Sequence, residues 1–82
     1  MQHKNLVEAL SKQGLHKDGD TWNVPSGLAA TVYLSFDEES LIIDRVLKIE
    51  VTPELGYATT HRKERYAFEL ETLRALRFVP EK

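Results

Sequence analysis

Residues 30–51, ATVYLSFDEESLIIDRVLKIEV, decide the fold because apolar and polar side chains alternate through them. Apolar residues occupy every second position from Ala30 to Phe36, which is the pattern of a half-buried β-strand. An acidic turn at 37–40 separates this strand from a second apolar run at 41–52. The stretch therefore predicts an antiparallel hairpin.

The second strand of this hairpin carries an irregularity near its middle. Leu47, Ile49 and Val51 are spaced in steps of two, so we expect them to share the buried face. Asp44 and Arg45 interrupt the apolar pattern before them. Two charged residues at that point predict a β-bulge or a sharp bend in one continuous strand.

Before the hairpin, the chain has one helical segment. Apolar spacing predicts a helix over residues 5–13, with Asn5 as its N-cap and Gly14 as the left-handed residue that ends it. The polar segment 16–20 is then expected to be a turn. A short strand follows at 21–24, where apolar and polar residues again alternate.

After the hairpin, the pattern has two interpretations. A turn at 53–56 and a strand beginning at 57–60 continue the sheet. Residues 66–79 fit a strand, a tight turn near 71–73 and a second strand, and this is the favoured interpretation. The alternative is a C-terminal helix packed on the sheet, although its apolar residues would spread all round the helix.

Together these elements predict an α+β domain of residues 1–82, with an N-terminal helix and an antiparallel meander of four to six strands at 21–79. The apolar rhythm of residues 32–79 resembles that of Sm-like and WYL-type small β-barrels. This resemblance implies that the meander curls into a small barrel. The Sm-like lysine–histidine RNA-binding signature is absent near residues 71–73, so its RNA-binding residues transfer to no position here.

Composition narrows the class of protein. The chain has 82 residues, no cysteine and a net charge of −2, which excludes disulfides, thiolate metal sites and nucleic-acid binding by bulk charge. No apolar run approaches the ~20 residues that span a bilayer, and the N-terminus lacks a secretory apolar region. We expect a cytoplasmic protein without membrane contact.

Catalytic patterns are sparse. There is no nucleophile elbow and no glycine-rich phosphate loop, and the four glycines, Gly56 included, fit isolated turn residues. His16, Asp18 and Asp20 alternate in a way that a divalent cation could use, so a metal-assisted enzyme is the alternative to solvated turn residues. The favoured prediction is a non-catalytic protein without a metal or cofactor.

The aromatic residues suggest a binding role. Four of them are expected to fill the core: Trp22, Phe36, Phe68 and Phe78. Tyr33, by contrast, lies on the opposite face of its strand beside the small Thr31. A tyrosine among small residues suits an interface, because it buries a large area at little entropic cost. We therefore expect self-association or contact with another protein partner.

Nucleic-acid binding is the alternative function. The densest basic stretch begins at His61 and ends at Arg65. The candidate contacts are Arg62, Lys63 and Arg65, flanked by Tyr57 and Tyr66. The cations could bind phosphate while the tyrosines stack on bases. A solvated hairpin loop is the simpler interpretation of the same residues.

Overall fold

The chain opens with a short amphipathic helix. In the computed structural model, which describes residues 1–81, helix α1 spans His3–Lys12. Its apolar side chains recur at helical spacing, and Leu6 and Leu10 are completely buried. The helix therefore contributes one apolar stripe to the core. No helix in the described part of the chain is long and apolar enough to cross a membrane.

The helix boundaries differ slightly from the predicted residues 5–13. Gln2 occupies the N-cap position and makes no side-chain cap hydrogen bond, so the prediction of Asn5 as N-cap is wrong. Asn5 is a residue type that caps helices well, but it lies inside the first turn and not at its start. Gly14 has a φ of +73°, as expected for the residue that ends a helix.

Within residues 1–81, eight strands follow the helix, which confirms the α+β class but exceeds the predicted four to six strands. They are β1 (His16–Asp18), β2 (Thr21–Asn23), β3 (Leu28–Phe36), β4 (Glu39–Ile43), β5 (Val46–Val51), β6 (Leu55–Thr60), β7 (Arg65–Glu69) and β8 (Leu73–Pro80). A 3-10 turn, Leu70–Thr72, connects β7 to β8.

The strands form two antiparallel sheets. The five-stranded sheet has the order β1-β2-β5-β6-β7, and the three-stranded sheet has the order β4-β3-β8. Among residues 1–81 no ladder joins the two sheets, so the closed barrel implied by the resemblance is not present in the strand pairing. The buried side chains of both sheets and of α1 form one apolar cluster between them.

A corner at Asp44 and Arg45 divides the predicted strand 41–52 into two. β4 lies in the three-stranded sheet and β5 lies in the five-stranded sheet, so the chain changes sheets between them. Arg45 has a φ of +55°, a left-handed conformation that reverses the local path of the backbone. The sharp bend is confirmed, whereas the single continuous strand was wrong.

Two predicted core residues lie outside the core. Phe36 is 40% exposed, because it stands at the end of β3 opposite Glu39, beyond the buried part of the sheet. Leu47 is 41% exposed, because the pairing of β5 with β6 shifts between Val46 and Lys48 and turns it out of the buried row. Local alternation predicts neither effect.

The other predicted core aromatics occupy the interior to different degrees. Trp22 and Phe68 are buried, as predicted. Phe78 is half-buried and packs against the edge of the core. Lys17, opposite Trp22 in the ladder, places its ammonium 5.5 Å from the centre of the indole ring. The ammonium lies over the ring in a cation–π contact, which covers this side of the tryptophan.

The C-terminal segment is strand, turn and strand, so the helical alternative for residues 66–79 is wrong. Leu70 and Leu73 are both buried, one in the 3-10 turn and one at the start of β8. The Thr72 hydroxyl donates to the Glu69 carbonyl at 2.7 Å. The Arg74 guanidinium donates to the Glu71 carbonyl at 2.9 Å. These local bonds hold the tight turn.

Two other predicted turns are partly strand. Within the predicted turn 16–20, β1 pairs with β2, and only Gly19 and Asp20 form the connection. Gly56 is not a turn residue, because it lies in β6 directly opposite Phe68. A Cβ atom at Gly56 would lie 2.6 Å from two ring atoms of Phe68. The glycine is therefore required by the close packing of the aromatic ring.

Candidate functional site

The strongest candidate site is the outer face of the three-stranded sheet. Directly opposed residues of antiparallel strands share a face, so the pairing of β3 with β4 and β8 defines which side chains it presents. This outer face consists of Ala29, Thr31, Tyr33, Ser35, Ser40, Ile42, Asp44, Ala75, Arg77 and Val79. The alternate residues of β3, such as Val32 and Leu34, are buried on the inner side.

The centre of the outer face is an apolar row. Tyr33 lies opposite Ile42 on one side and Ala75 on the other. Ile42 is 56% exposed and Val79 is 37% exposed, while Tyr33 is half-buried. No other part of residues 1–81 forms strands over this face. A solvated sheet face normally carries polar side chains in these positions, so the row is unusual.

The adjacent row carries charge at both ends. Thr31 lies opposite Arg77 of β8, and its hydroxyl donates to the Asp44 carboxylate at 3.2 Å. Asp44, Thr31 and Arg77 therefore cross the sheet in one line, with an acid at one edge and a base at the other. The predicted interface residues Thr31 and Tyr33 occupy the middle strand. Asp44, Ile42 and Arg77 complete the face and were missed.

Two residues of the predicted basic patch lie in a cleft of about 270 Å³ that borders the outer face at Ile42 and Asp44. Arg62 and Tyr66 line it together with Arg45, which the corner brings there. The full lining is Ile42, Ile43, Asp44, Arg45, Thr60, Arg62, Glu64 and Tyr66. Two acids face two bases, so the cleft carries no excess of positive charge.

The patch residues that lie in strands are divided between the two sides of the five-stranded sheet. Tyr57 lies opposite Ala67, whereas Tyr66 lies opposite Ala58. The two tyrosines therefore point to opposite faces, and they cannot stack on neighbouring bases from one side. Arg65 shares the outer face of the sheet with Tyr57. The structure separates the residues that the sequence placed together.

The loop between β6 and β7 is a well-bonded turn. The Thr60 amide donates to the Glu64 carbonyl at 2.9 Å, and the Lys63 amide donates to the Thr60 carbonyl at 2.9 Å. Lys63 adopts a φ of +67°, which places it at the tip in a left-handed conformation. The amide of Glu64 also donates to the Thr60 hydroxyl at 3.3 Å. The geometry accounts for a tight, solvated hairpin end.

An acidic groove of about 1040 Å³ lies at the other end of this hairpin, beside the start of α1. Its lining includes Glu54, Glu69 and Glu71. Hydrogen bonding and like charge from Glu71, with smaller contributions from desolvation and Glu54, raise the pKa of Glu69 above its ordinary value of 4.5. The amine of Met1 donates to the carbonyls of Leu70 and Leu73 nearby.

The candidate metal ligands do not converge. His16 and Asp18 lie two apart in β1, while Asp20 lies in the turn that follows. In the described residues, no group of three histidine or acidic side chains is placed to hold a metal ion.

Comparison with known proteins gives no relative to consult. No family model, curated protein or solved structure matches the chain.

Proposed function

We propose that this protein is a non-catalytic binding module that contacts a protein surface through the outer face of its three-stranded sheet. The observation that carries the proposal is the exposed Ile42 beside Tyr33, in the middle of a sheet face that the described chain leaves uncovered. Burying such a row removes apolar surface from water, which is the main favourable contribution to protein association.

The face is also held rigid from below. The inner side chains of β3, Val32 and Leu34 among them, are buried in the core, and β3 is bonded to a strand on each side. Little backbone entropy is therefore lost when the outer face binds. Tyrosine adds a large contact area with few rotatable bonds, which favours a central position in an interface.

Site-specific photocrosslinking tests this proposal. A benzoylphenylalanine replaces Tyr33 in one variant and Tyr57, the half-buried tyrosine on the outer face of the other sheet, in the control. We expect covalent protein adducts, with any protein including a second copy, from position 33 and far fewer from position 57. Equal yields at the two positions, or none at 33, would contradict the proposal.

Nucleic-acid binding is the second candidate, favoured by the meeting of Arg45, Arg62 and Tyr66 in one cleft. A bound phosphate would contact the guanidiniums, and affinity would fall with salt. The test is salt-dependent retention of a short single strand, compared between the wild type and a variant with Arg62, Lys63 and Arg65 changed to glutamine. Retention that salt and the triple change both leave unaltered would exclude this function.

A further inference from the structure

We infer that the partner of the outer face is a second copy of this chain, related by a two-fold axis that runs along β3. Asp44 of each copy then lies against Arg77 of the other. The inference rests on the proposed function and adds the identity of the partner and the orientation of the contact. Charge complementarity within the face itself is the observation that supports it.

The orientation follows from the strand order. With β3 in the middle, a half-turn about an axis along β3 places β4 of one copy over β8 of the other, while β3 lies over β3. Asp44 continues the β4 edge and Arg77 lies on β8, in the same cross-strand row as Thr31. The half-turn therefore brings the acid of each copy to the base of the other, at both edges of the contact.

A two-fold axis across the strands along the row of Asp44, Thr31 and Arg77 opposes like charges. It would place β4 over β4 and β8 over β8, so that Asp44 meets Asp44 and Arg77 meets Arg77. Like charges brought together in a desolvated interface are strongly unfavourable. Asp44 and Arg77 are the charged residues of the row through Thr31, so pairing within this row favours the axis along β3.

Side-chain size agrees with the same orientation on the two strands that flank β3. Ile42 on β4 and Ala75 on β8 flank Tyr33 in the apolar row. Placing β4 over β8 therefore sets the large Ile42 of one copy against the small Ala75 of the other. Facing sheets lie about 10 Å apart, and large and small residues must alternate across that gap to fill it. The two Tyr33 rings meet near the axis.

The Asp44 carboxylate is already positioned for this contact. Its hydrogen bond to Thr31 uses one oxygen and draws the side chain over the sheet. The other oxygen can accept from a guanidinium approaching from the facing copy. A charge-assisted bond of this kind is stronger than one between neutral groups. Both Asp44 and Arg77 are exposed in the single chain, so neither group is already buried.

Charge reversal followed by mixing tests the inference. Asp44→Arg gives two arginines at each contact, and Arg77→Asp gives two aspartates, so each variant alone should associate about tenfold or more weaker than the wild type. In the heterodimer that an equimolar mixture can form, both contacts again join an acid to a base. We expect the mixture to recover association, measured by sedimentation velocity and by native mass spectrometry with one variant isotope-labelled.

The control is Arg65→Asp, a charge reversal on the outer face of the five-stranded sheet, which should leave association unchanged. Circular dichroism and thermal melting establish that every variant folds. If each single variant associates more weakly than the wild type and the mixture does not recover association, the proposed orientation of the two copies is wrong. A wild type that stays monomeric through the micromolar range would overturn the second copy as partner, while crosslinks from position 33 to another protein would still support the proposed function.

Discussion

Each of the two sheets carries a half-buried tyrosine on its outer face, but we expect only the three-stranded sheet to form a contact there. Tyr33 lies between Ile42 and Ala75 on the three-stranded sheet, and Tyr57 lies between Glu50 and Ala67 on the five-stranded sheet. Each tyrosine is half-buried on a strand with neighbours on both sides. Glu50 stands beside Tyr57 where Ile42 stands beside Tyr33, and a carboxylate favours contact with water where an isoleucine does not.

The rows next to the two tyrosines differ in charge. Thr31 lies between Asp44 and Arg77, whereas Thr59 lies between Lys48 and Arg65. Under the half-turn proposed above, the first row pairs acid with base and the second would pair base with base. A tyrosine beside a threonine is therefore insufficient to identify an interface. The cross-strand neighbours decide whether two such faces attract or repel.

The largest expected effect is on the free energy of unfolding, and it distinguishes a core residue of β3 from an outer-face residue of the same strand. Leu34→Ala removes a buried side chain on the inner side of β3 and should lower the free energy of unfolding by about 2–5 kcal/mol. Ser35→Ala, on the outer side of the same strand, should change it by less than about 0.5 kcal/mol. Urea denaturation measures both. Equal losses of unfolding free energy would show that the inner and outer sides of β3 contribute equally to stability.

The second prediction compares the two outer faces directly. Ile42→Asp should weaken self-association by about tenfold or more, because it places an unpaired charge in the apolar row. Ala67→Asp is the matched control, since Ala67 lies on edge strand β7 directly opposite Tyr57. Sedimentation velocity measures association of both variants. A similar loss from Ala67→Asp would remove the distinction between the faces.

A smaller effect is expected at the tip of the β6–β7 hairpin. Lys63→Gly should raise the free energy of unfolding by up to about 1 kcal/mol, because glycine accepts a φ of +67° without steric cost. Arg62→Gly, in the same loop but without a left-handed φ, should lower it by a few tenths of a kcal/mol. Thermal melting compares the two. If Lys63→Gly destabilised the protein, strain at this tip would be excluded.

The smallest effect concerns the acidic groove. Because Glu71 raises the pKa of Glu69, the folded state disfavours the charged form of Glu69. This cost is absent below about pH 4 and appears as the pH rises through the raised pKa. Glu71→Gln should therefore lower the pKa of Glu69 and slightly stabilise the protein at pH 7 but not at low pH. Carboxyl NMR titration tests the shift, and Glu8→Gln on α1 serves as control.

Alternation along the chain was sufficient to predict the class of fold and the identity of β3. It also favoured two strands over a helix at residues 66–79. It could not predict the bulge that exposes Leu47 or the change of sheet after Asp44, because both depend on pairing with strands far along the chain. For the same reason the sequence could single out Thr31 and Tyr33 within one strand, while Ile42, Asp44 and Arg77 became their neighbours only once β4 and β8 were placed beside β3.

The contact between Gly56 and Phe68 has a consequence for how β6 and β7 align. The aromatic ring occupies the space that any side chain at position 56 would need. A slip of two residues would set Phe68 against Ala58 or Glu54, and the ring could not keep the position against the backbone that it has at Gly56. The absence of a side chain at position 56 therefore favours the observed register of the hairpin over registers shifted by two residues.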